Sequence, residues 1–249
     1  MKLKSSFRAL CGALCAAFGR LRSVDAAVWK RSATALGVAA AVTLAIIYAP
    51  LALVLPVFVV LIVLCWAEYV ALLVRKYGAM ESVPWLFLLG LPMLAGLAAL
   101  PLAAKMYDNM MMLYLIAIVK VSDMGGFAIG TLTAHMLPRG NHKMCPSVSP
   151  NKSWEGLAGS IVAAMGVSAL FFGCRWVGEF MLPDWGWGKA LAFGAVAALV
   201  GTFGDLLESK FKRFVGVKDS STFMPAGLGG VLDMFDSLLF APAVLLCFV

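Results

Sequence analysis

Long runs of apolar residues, each about the length of a membrane-crossing helix, constrain the fold of this chain more than any other feature. A helix needs about 20 apolar residues to cross the hydrocarbon core of a bilayer. The runs cover residues 33–49, 51–74, 84–104, 110–132, 156–177, 189–204 and 229–249. Only 13% of the residues are charged, too few to cover a water-facing surface. We therefore predict an all-α, polytopic integral membrane protein with about seven transmembrane helices, the length allowing six to eight or nine.

Charged residues in the loops predict three regions and an orientation. Residues 1–32 carry seven basic residues and one acid, which indicates a basic cytoplasmic or interfacial segment rather than a signal peptide. Residues 33–132 form the N-terminal transmembrane helices, and residues 133–249 form a C-terminal membrane region, expected to carry the chemistry, with cytoplasmic loops at 133–155 and 205–229. Lysine and arginine collect in the loops on the N-terminal side of the membrane, so the positive-inside rule places that side in the cytoplasm. The net charge of +7 does not indicate nucleic-acid binding, because the basic residues are not interleaved with aromatic ones.

Acidic residues are concentrated in the last four apolar runs and the loops beside them. Seven of the thirteen acids lie there: Asp123, Glu155, Asp205, Glu208, Asp219, Asp233 and Asp236. A carboxylate within a span costs at least about 2.5–3.5 kcal/mol on insertion scales, so such residues usually face a polar cavity. For Asp123, a structural pair with Lys120, one helical turn away, is the alternative to a functional role.

The spacing of Asp233 and Asp236 predicts that they share one face of a helix. Two carboxylates so close raise each other's pKa unless a cation lies between them. Mg²⁺ is the simplest such cation because it prefers oxygen ligands. Asp205 and Glu208 repeat the spacing at the cytoplasmic end of the preceding span, where a solvated helix end explains Glu208 equally well.

Basic clusters lie on the same side of the membrane as these acids, at residues 139–143, Lys152 and residues 210–218. Basic side chains around a cation suit a polyphosphate substrate, because they offset charge during phosphoryl or nucleotidyl transfer. Contact of positive-inside loops with anionic lipid headgroups accounts for the same residues, so spacing leaves both interpretations open. The glycines before the last span indicate either a backbone cradle for a phosphate or the plain start of a helix.

The C-terminal half resembles the phosphatidate cytidylyltransferase (CDP-diacylglycerol synthase) family. Four stretches occur in the family's order, namely VSDMGGFAIG at 121–130, HKMCPSVSPNKSWEG at 142–156, GDLLES at 204–209 and SKFKRFVGVKDSSTFMPAGLGGVLDMFDS at 209–237. The last stretch departs from the family's signature twice. Leu228 stands where the signature has histidine, and Met234 stands where it has arginine.

The resemblance implies a Mg²⁺-dependent nucleotidyltransferase that condenses CTP with phosphatidic acid, at the cytoplasmic side of a bacterial inner membrane. It also leaves room for a monovalent cation such as K⁺ and for a homodimer. The catalytic residues that it implies are Asp219, Asp233, Asp236 and Lys218, and the metal ligands are Asp233, Asp236, Asp219 and Asp205. The substrate-binding residues that it implies are Lys152, Ser149, Glu155, Lys212, Arg213, Ser209, Gly229, Gly230 and Asp123.

Two other function classes remain open at the level of sequence. An ion-coupled transporter would use carboxylates near the middle of the membrane, although no inverted repeat is visible. A lipid phosphotransferase related to polyprenol or phytol kinases is the other. If the protein is the enzyme, Asp233→Asn and Asp236→Asn are each expected to lower turnover with little loss of folded protein.

Overall fold

Five long apolar helices dominate the computed structural model, which describes residues 43–137, 140–174, 185–217, 220 and 230–248. The chain divides into two units, Met1–Ala45 and Ile46–Val249. In the first unit, the described residues 43–45 are helical. In the described part of the second, the helices long and apolar enough to cross a membrane are α1 (Leu51–Tyr77), α2 (Val83–Met106), α3 (Asn109–Met136), α4 (Trp154–Cys174) and α5 (Trp187–Val215). The prediction of an all-α, polytopic membrane protein is confirmed.

The five helices coincide with five of the predicted spans, and most of the predicted span at 33–49 lies outside the described residues. The segment predicted as one span at 229–249 differs, because its described residues form short helical pieces. These pieces are α6 (Val231–Met234), two 3₁₀ turns (Asp236–Leu239 and Ala241–Val244) and α7 (Leu245–Phe248). The helix is interrupted at Phe235, and Pro242 has no N–H to continue a helical ladder.

Helix α2 is locally widened where it passes an aromatic side chain of α1. It begins as Val83–Trp85, passes through a π-helical turn at Leu86–Gly90 and continues as Leu91–Met106. A methyl group at Gly90 would lie 2.6 Å from the ring of Trp66, so this position requires glycine. The hydroxyl of Tyr69 donates to the Trp85 carbonyl at 2.8 Å and fixes the start of α2 against α1.

Small residues bring α3 and α4 into close contact. A methyl group at Gly125 would lie 2.5 Å from the Ala163 side chain, and one at Gly159 would lie 2.6 Å from the Ile129 side chain. Close approach through small residues is typical of helix pairs in membranes. Since Asp123 lies two residues before Gly125, this contact holds the segment that carries Asp123 against α4.

An antiparallel hairpin connects α3 to α4. Its strands are β1 (Lys143–Cys145) and β2 (Ser149–Ser153), with Lys143 opposite Ser153. The Asn141 side-chain amide donates to the Gly130 carbonyl at 2.7 Å, which ties the hairpin to α3. At its other end, Ser153 Oγ accepts a hydrogen bond from Gly156 N at 3.1 Å and so caps the first turn of α4.

The C-terminal segment, residues 230–248, packs against α2 and α5. Any side chain at Gly96 of α2 would overlap the carbonyl group of Leu239. A methyl group at Gly204 of α5 would lie 2.7 Å from the Phe240 ring. Leu238 and Leu239 are buried. These contacts fix the position of the segment that carries Asp233 and Asp236.

Candidate functional site

A cavity of about 320 Å³ brings together residues from α3, the hairpin, α4, α5 and the C-terminal segment. Its polar lining includes Asp123, Ser149, Asn151, Lys152, Asp205 and Asp236. Three of these side chains are carboxylates, and each comes from a different element. The cavity therefore joins acids from positions 123, 205 and 236 of the chain, together with Ser149 and Lys152, which the resemblance implies as substrate-binding residues.

An ion pair between Lys152 and Asp205 forms one wall of the cavity. Lys152 Nζ lies 2.5 Å from Asp205 Oδ2 and donates to the Thr202 carbonyl at 3.1 Å. The second carboxylate oxygen of Asp205 accepts from Ser209 Oγ at 3.4 Å. The two charged side chains are 21% and 24% exposed, so the ion pair is partly shielded from solvent.

Asp123 and Asp236 are linked through a single hydroxyl group, that of Ser237. Ser237 Oγ lies 2.7 Å from Asp123 Oδ2 and 3.2 Å from Asp236 Oδ1. Because a hydroxyl has one proton, it donates to one carboxylate at a time, and the shorter contact favours Asp123. Lys120 Nζ donates to Ser237 Oγ at 3.3 Å and lies 3.9 Å from Asp236 Oδ1. Lys120 thus contacts Asp236 and Ser237, and its connection to Asp123 runs through Ser237.

Asp233 belongs to a second polar cluster beside α5. Lys212 Nζ lies 2.8 Å from Asp233 Oδ1 and 2.9 Å from Glu208 Oε2. Asp233 Oδ2 accepts from the backbone N–H groups of Ser220 and Gly230, at 3.0 and 2.9 Å. Burial raises the pKa of Asp233, but the hydrogen bonds from Gly230, Lys212 and Ser220 outweigh it and hold this pKa below its ordinary value. Asp233 is therefore ionised and fully engaged by its neighbours.

The contacts of Asp233 and Asp236 differ from those expected of two residues on one helix face. Helix α6 ends at Met234, and Asp236 begins a 3₁₀ turn after the bend at Phe235. Asp233 contacts Lys212, whereas Asp236 lines the cavity. The expectation of a shared face is corrected accordingly, since the continuous helix on which it depended is interrupted between the two residues. The carboxylates that meet Asp236 in the cavity are those of Asp123 and Asp205.

The other predicted site residues contact the hairpin or Asp233, are exposed, or lie outside the described residues. Glu155 accepts from the His142 backbone N–H at 3.1 Å and lies 2.6 Å from His142 Nδ1, so it holds the start of the hairpin. Arg213 is exposed near the end of α5. Lys212 and Gly230 both contact Asp233, as described above. The predicted residues Lys218, Asp219 and Gly229 lie outside the described residues.

Glu68 is a buried acid that the sequence reasoning missed. It lies on α1, is fully buried, and its Oε2 accepts a hydrogen bond from Leu232 N at 2.9 Å. Within the described part of the chain, its Oε1 has no hydrogen-bond partner. A signal was available, because Glu68 is the one acid in the apolar run 51–74 and acids within spans are costly. Ser237 was also missed, and only its position beside Asp236 could have indicated it.

The carboxylates of the cavity suit a hard cation that is shared with a substrate. In the described ranges, no three histidine, cysteine or acidic side chains stand close enough to form a ready-made metal cage. Mg²⁺ commonly takes only one or two carboxylates and completes its octahedron with water and substrate phosphates. Asp123, Asp205 and Asp236 supply oxygen donors of this kind around one cavity. These three carboxylates are side chains of the cavity that could contribute ligands to a divalent cation.

The fold and the cavity define a polytopic membrane protein with an internal site rich in carboxylates. Residues 84–249, well over half of the chain, match the model of the cytidylyltransferase family. The chain belongs to this family. All six polar lining residues named above lie in the matched segment, whereas Glu68 on α1 precedes it.

Several curated relatives share the name phosphatidate cytidylyltransferase. That of Mycobacterium leprae is 38% identical over 149 residues, which are 59% of this chain and 43% of the relative. That of Staphylococcus haemolyticus is 38% identical over 130 residues, 51% of this chain and 44% of the relative. That of Haemophilus influenzae is 34% identical over 152 residues, 59% of this chain and 50% of the relative. The chain spans about half the length of these relatives or less.

Proposed function

We propose that the protein transfers the cytidylyl group of CTP to phosphatidate, which gives CDP-diacylglycerol and pyrophosphate for phospholipid synthesis. The observation that carries this proposal is the cavity in which Asp123, Asp205 and Asp236 meet beside Lys152. The names of the relatives support the same reaction. Apolar helices around a charged cavity suit an enzyme whose two substrates are a lipid and a soluble nucleotide.

In the proposed reaction, a phosphate oxygen of phosphatidate attacks the α-phosphorus of CTP. A new P–O bond forms at the α-phosphorus. The bond from the α-phosphorus to the oxygen that bridges it to the β-phosphorus breaks, and pyrophosphate leaves with the electron pair of the broken bond. The attacking phosphate is already an anion at neutral pH, so it needs little help from a general base. The task of the protein is then to position two anions and to offset their charge.

The residues of the cavity suit this task. Lys152, held by Asp205 and the Thr202 carbonyl, presents a fixed positive charge at the wall. Ser237 orients both Asp123 and Asp236, because its hydroxyl donates to Asp123 and its backbone N–H donates to Asp236. When bound, Mg²⁺ supplies charge stabilisation for the triphosphate, and Asp123, Asp205 and Asp236 are the residues that would hold it. A second, monovalent cation and a homodimer stay predictions from the resemblance.

We place the cavity on the cytoplasmic side of a bacterial inner membrane. Basic residues end α1 and α5, and Lys76 Nζ donates to the Phe214 carbonyl, which supports a common side for these two helix ends. Lys152 in the hairpin contacts Asp205 of α5 and so belongs to the same side. The positive-inside rule then assigns this side to the cytoplasm.

Incorporation of labelled CTP into lipid tests the proposed function. Purified protein is supplied with phosphatidate vesicles and CTP, either with Mg²⁺ or with EDTA, and the lipid product is separated and counted. We expect Mg²⁺-dependent labelling by the wild type and a loss of orders of magnitude in Asp236→Asn. Folded wild-type protein that labels no lipid in the presence of Mg²⁺ would contradict the proposal.

A further inference from the structure

We propose that Lys120 of α3 binds a phosphate oxygen of a substrate in this cavity. The inference rests on the proposed function, which it deepens by one binding residue. It starts from the position of Lys120, whose ammonium group lies 3.9 Å from Oδ1 of Asp236, a residue that lines the cavity. A cavity that handles a triphosphate and a lipid phosphate needs cations, so a lysine beside one of its carboxylates is informative.

Within the described ranges, two lysines stand beside the carboxylates of the cavity, and they are engaged to different degrees. Lys152 is held at 2.5 Å from Asp205 and also donates to a backbone carbonyl, and its side chain is 21% exposed. Lys120 is 3.9 Å from Asp236, at the outer limit of an ion pair, and its side chain is 42% exposed. Lys120 is therefore the less committed of the two cations.

The hydrogen bonds of Lys120 leave donor capacity for an anion. Its ammonium group donates to the Met234 carbonyl at 3.2 Å and to Ser237 Oγ at 3.3 Å. Both acceptors are uncharged, and an ammonium group has three N–H donors. Two contacts thus hold Lys120 against the C-terminal segment while the third donor stays available beside Asp236.

Among the residues that the structure describes, Lys212 and Arg213 are less suitable than Lys120. Lys212 is taken up by Glu208 and Asp233, at 2.9 and 2.8 Å. Arg213 is exposed at the end of α5. Lys120, by contrast, touches residue 234 itself through its backbone. Lys120 therefore brings a positive charge from α3 to the C-terminal segment.

Steady-state kinetics with both substrates test this inference and identify the phosphate. Lys120→Met is expected to raise the KM for CTP or the KM for phosphatidate by about ten- to a hundredfold, the usual effect of losing a hydrogen bond to a charged group. The substrate whose KM rises is the one whose phosphate Lys120 binds. Lys120→Arg should keep that KM within a few-fold of wild type, and Met234→Arg should recover part of the loss in the Lys120→Met background.

Controls separate binding from folding. Lys189 lies near the start of α5, where its ammonium group is over the Trp185 ring. It precedes Asp205 by more than four helical turns, so Lys189→Met should leave both KM values unchanged. Lys120→Gln keeps a donor for Met234 and Ser237 but removes the charge, and it should reproduce the KM effect if Lys120→Met folds poorly. Unchanged KM values for both substrates in a folded, uncharged variant would overturn the inference, whatever happens to kcat.

Equilibrium binding distinguishes this inference from the proposed function. CTP and inorganic pyrophosphate are titrated, with Mg²⁺, into the full chain in detergent. One outcome is that the wild type makes no CDP-diacylglycerol but binds a probe more tightly than Lys120→Gln does. This outcome would support the inference and contradict the proposed reaction. The opposite result is an active wild type in which Lys120→Gln changes neither the affinity for both probes nor the KM for phosphatidate. That result would support the proposed reaction and contradict the inference about Lys120. Wild type that neither binds the probes nor turns over would contradict both.

Discussion

Replacement of Asp233 by asparagine should destabilise the fold, whereas the same change at Asp236 should leave the fold intact and abolish activity. Sequence spacing makes the two aspartates look equivalent. Their contacts make them different, because Asp233 receives hydrogen bonds from Lys212, Ser220 and Gly230.

The size of the effect follows from the partly buried donors around Asp233. The side chains of Asp233 and Lys212 are 18% and 15% exposed, and Glu208 still pairs with Lys212 when Asp233 is neutralised. The cost therefore comes from the N–H groups of Ser220 and Gly230, because a hydrogen bond to a charged group contributes about 1.5–3 kcal/mol. Asparagine also turns an N–H donor towards groups that are donors themselves. For a chain of this size, about 3 kcal/mol corresponds to a fall in Tm of about 6–12 °C.

Thermal unfolding of the purified variants in one detergent measures this difference. Asp233→Asn should unfold about 6–12 °C below wild type. Asp236→Asn keeps an acceptor for Ser237 N and should stay within a few degrees of wild type while it loses Mg²⁺-dependent turnover. Equal Tm values for the two variants, or a larger fall in Asp236→Asn, would refute the assignment of Asp233 to the structural cluster.

Three further changes test other contacts. Glu68→Leu leaves Leu232 N without its acceptor and should lower the free energy of unfolding by about 1–3 kcal/mol, measured by thermal unfolding, whereas Glu68→Gln keeps an acceptor and should lose less. Gly96→Ala should lower the free energy of unfolding by about 1–3 kcal/mol in the same assay, because its methyl group meets the backbone of Leu239. Gly166 has open space around it, so Gly166→Ala should be neutral or slightly stabilising. Equal effects of the two changes would contradict the close packing of α2. Lys152→Met should lower lipid labelling about tenfold or more, with Lys152→Arg less affected, and wild-type labelling by Lys152→Met would exclude it from the site.

The long helices could be predicted because hydrocarbon imposes a minimum length of apolar residues on each span. The C-terminal segment has equally apolar residues but is broken at Phe235. Its path depends on contacts with distant helices, such as the approach of Leu239 to Gly96, and no local pattern reports these contacts. Apolar length therefore predicts where a segment lies better than whether its helix is continuous.

Part of the site could be predicted from the resemblance of four stretches to a known family, and part could not. Asp123, Ser149, Lys152, Asp205 and Asp236 were expected to act together, and the structure brings them to one cavity. The role of Asp233 depends on a bend and on backbone N–H groups that only the folded chain supplies.

The contact of Glu68 could not be predicted for a different reason. Its hydrogen bond to Leu232 joins residues 164 positions apart. No local spacing in the chain indicates such a partner, and the lone acid in an apolar run signals only that a polar partner must exist.

The position of a bound divalent cation would show whether Asp123, Asp205 and Asp236 form the metal site. An experimental structure with CTP and Mn²⁺ in place of Mg²⁺ would locate the ion by its anomalous scattering. We predict an anomalous peak in the cavity, bound by carboxylate oxygens of Asp205 and Asp236 or Asp123 and by phosphate oxygens of CTP. A peak bound by Asp233 beside Lys212, or CTP bound away from the cavity, would contradict this assignment.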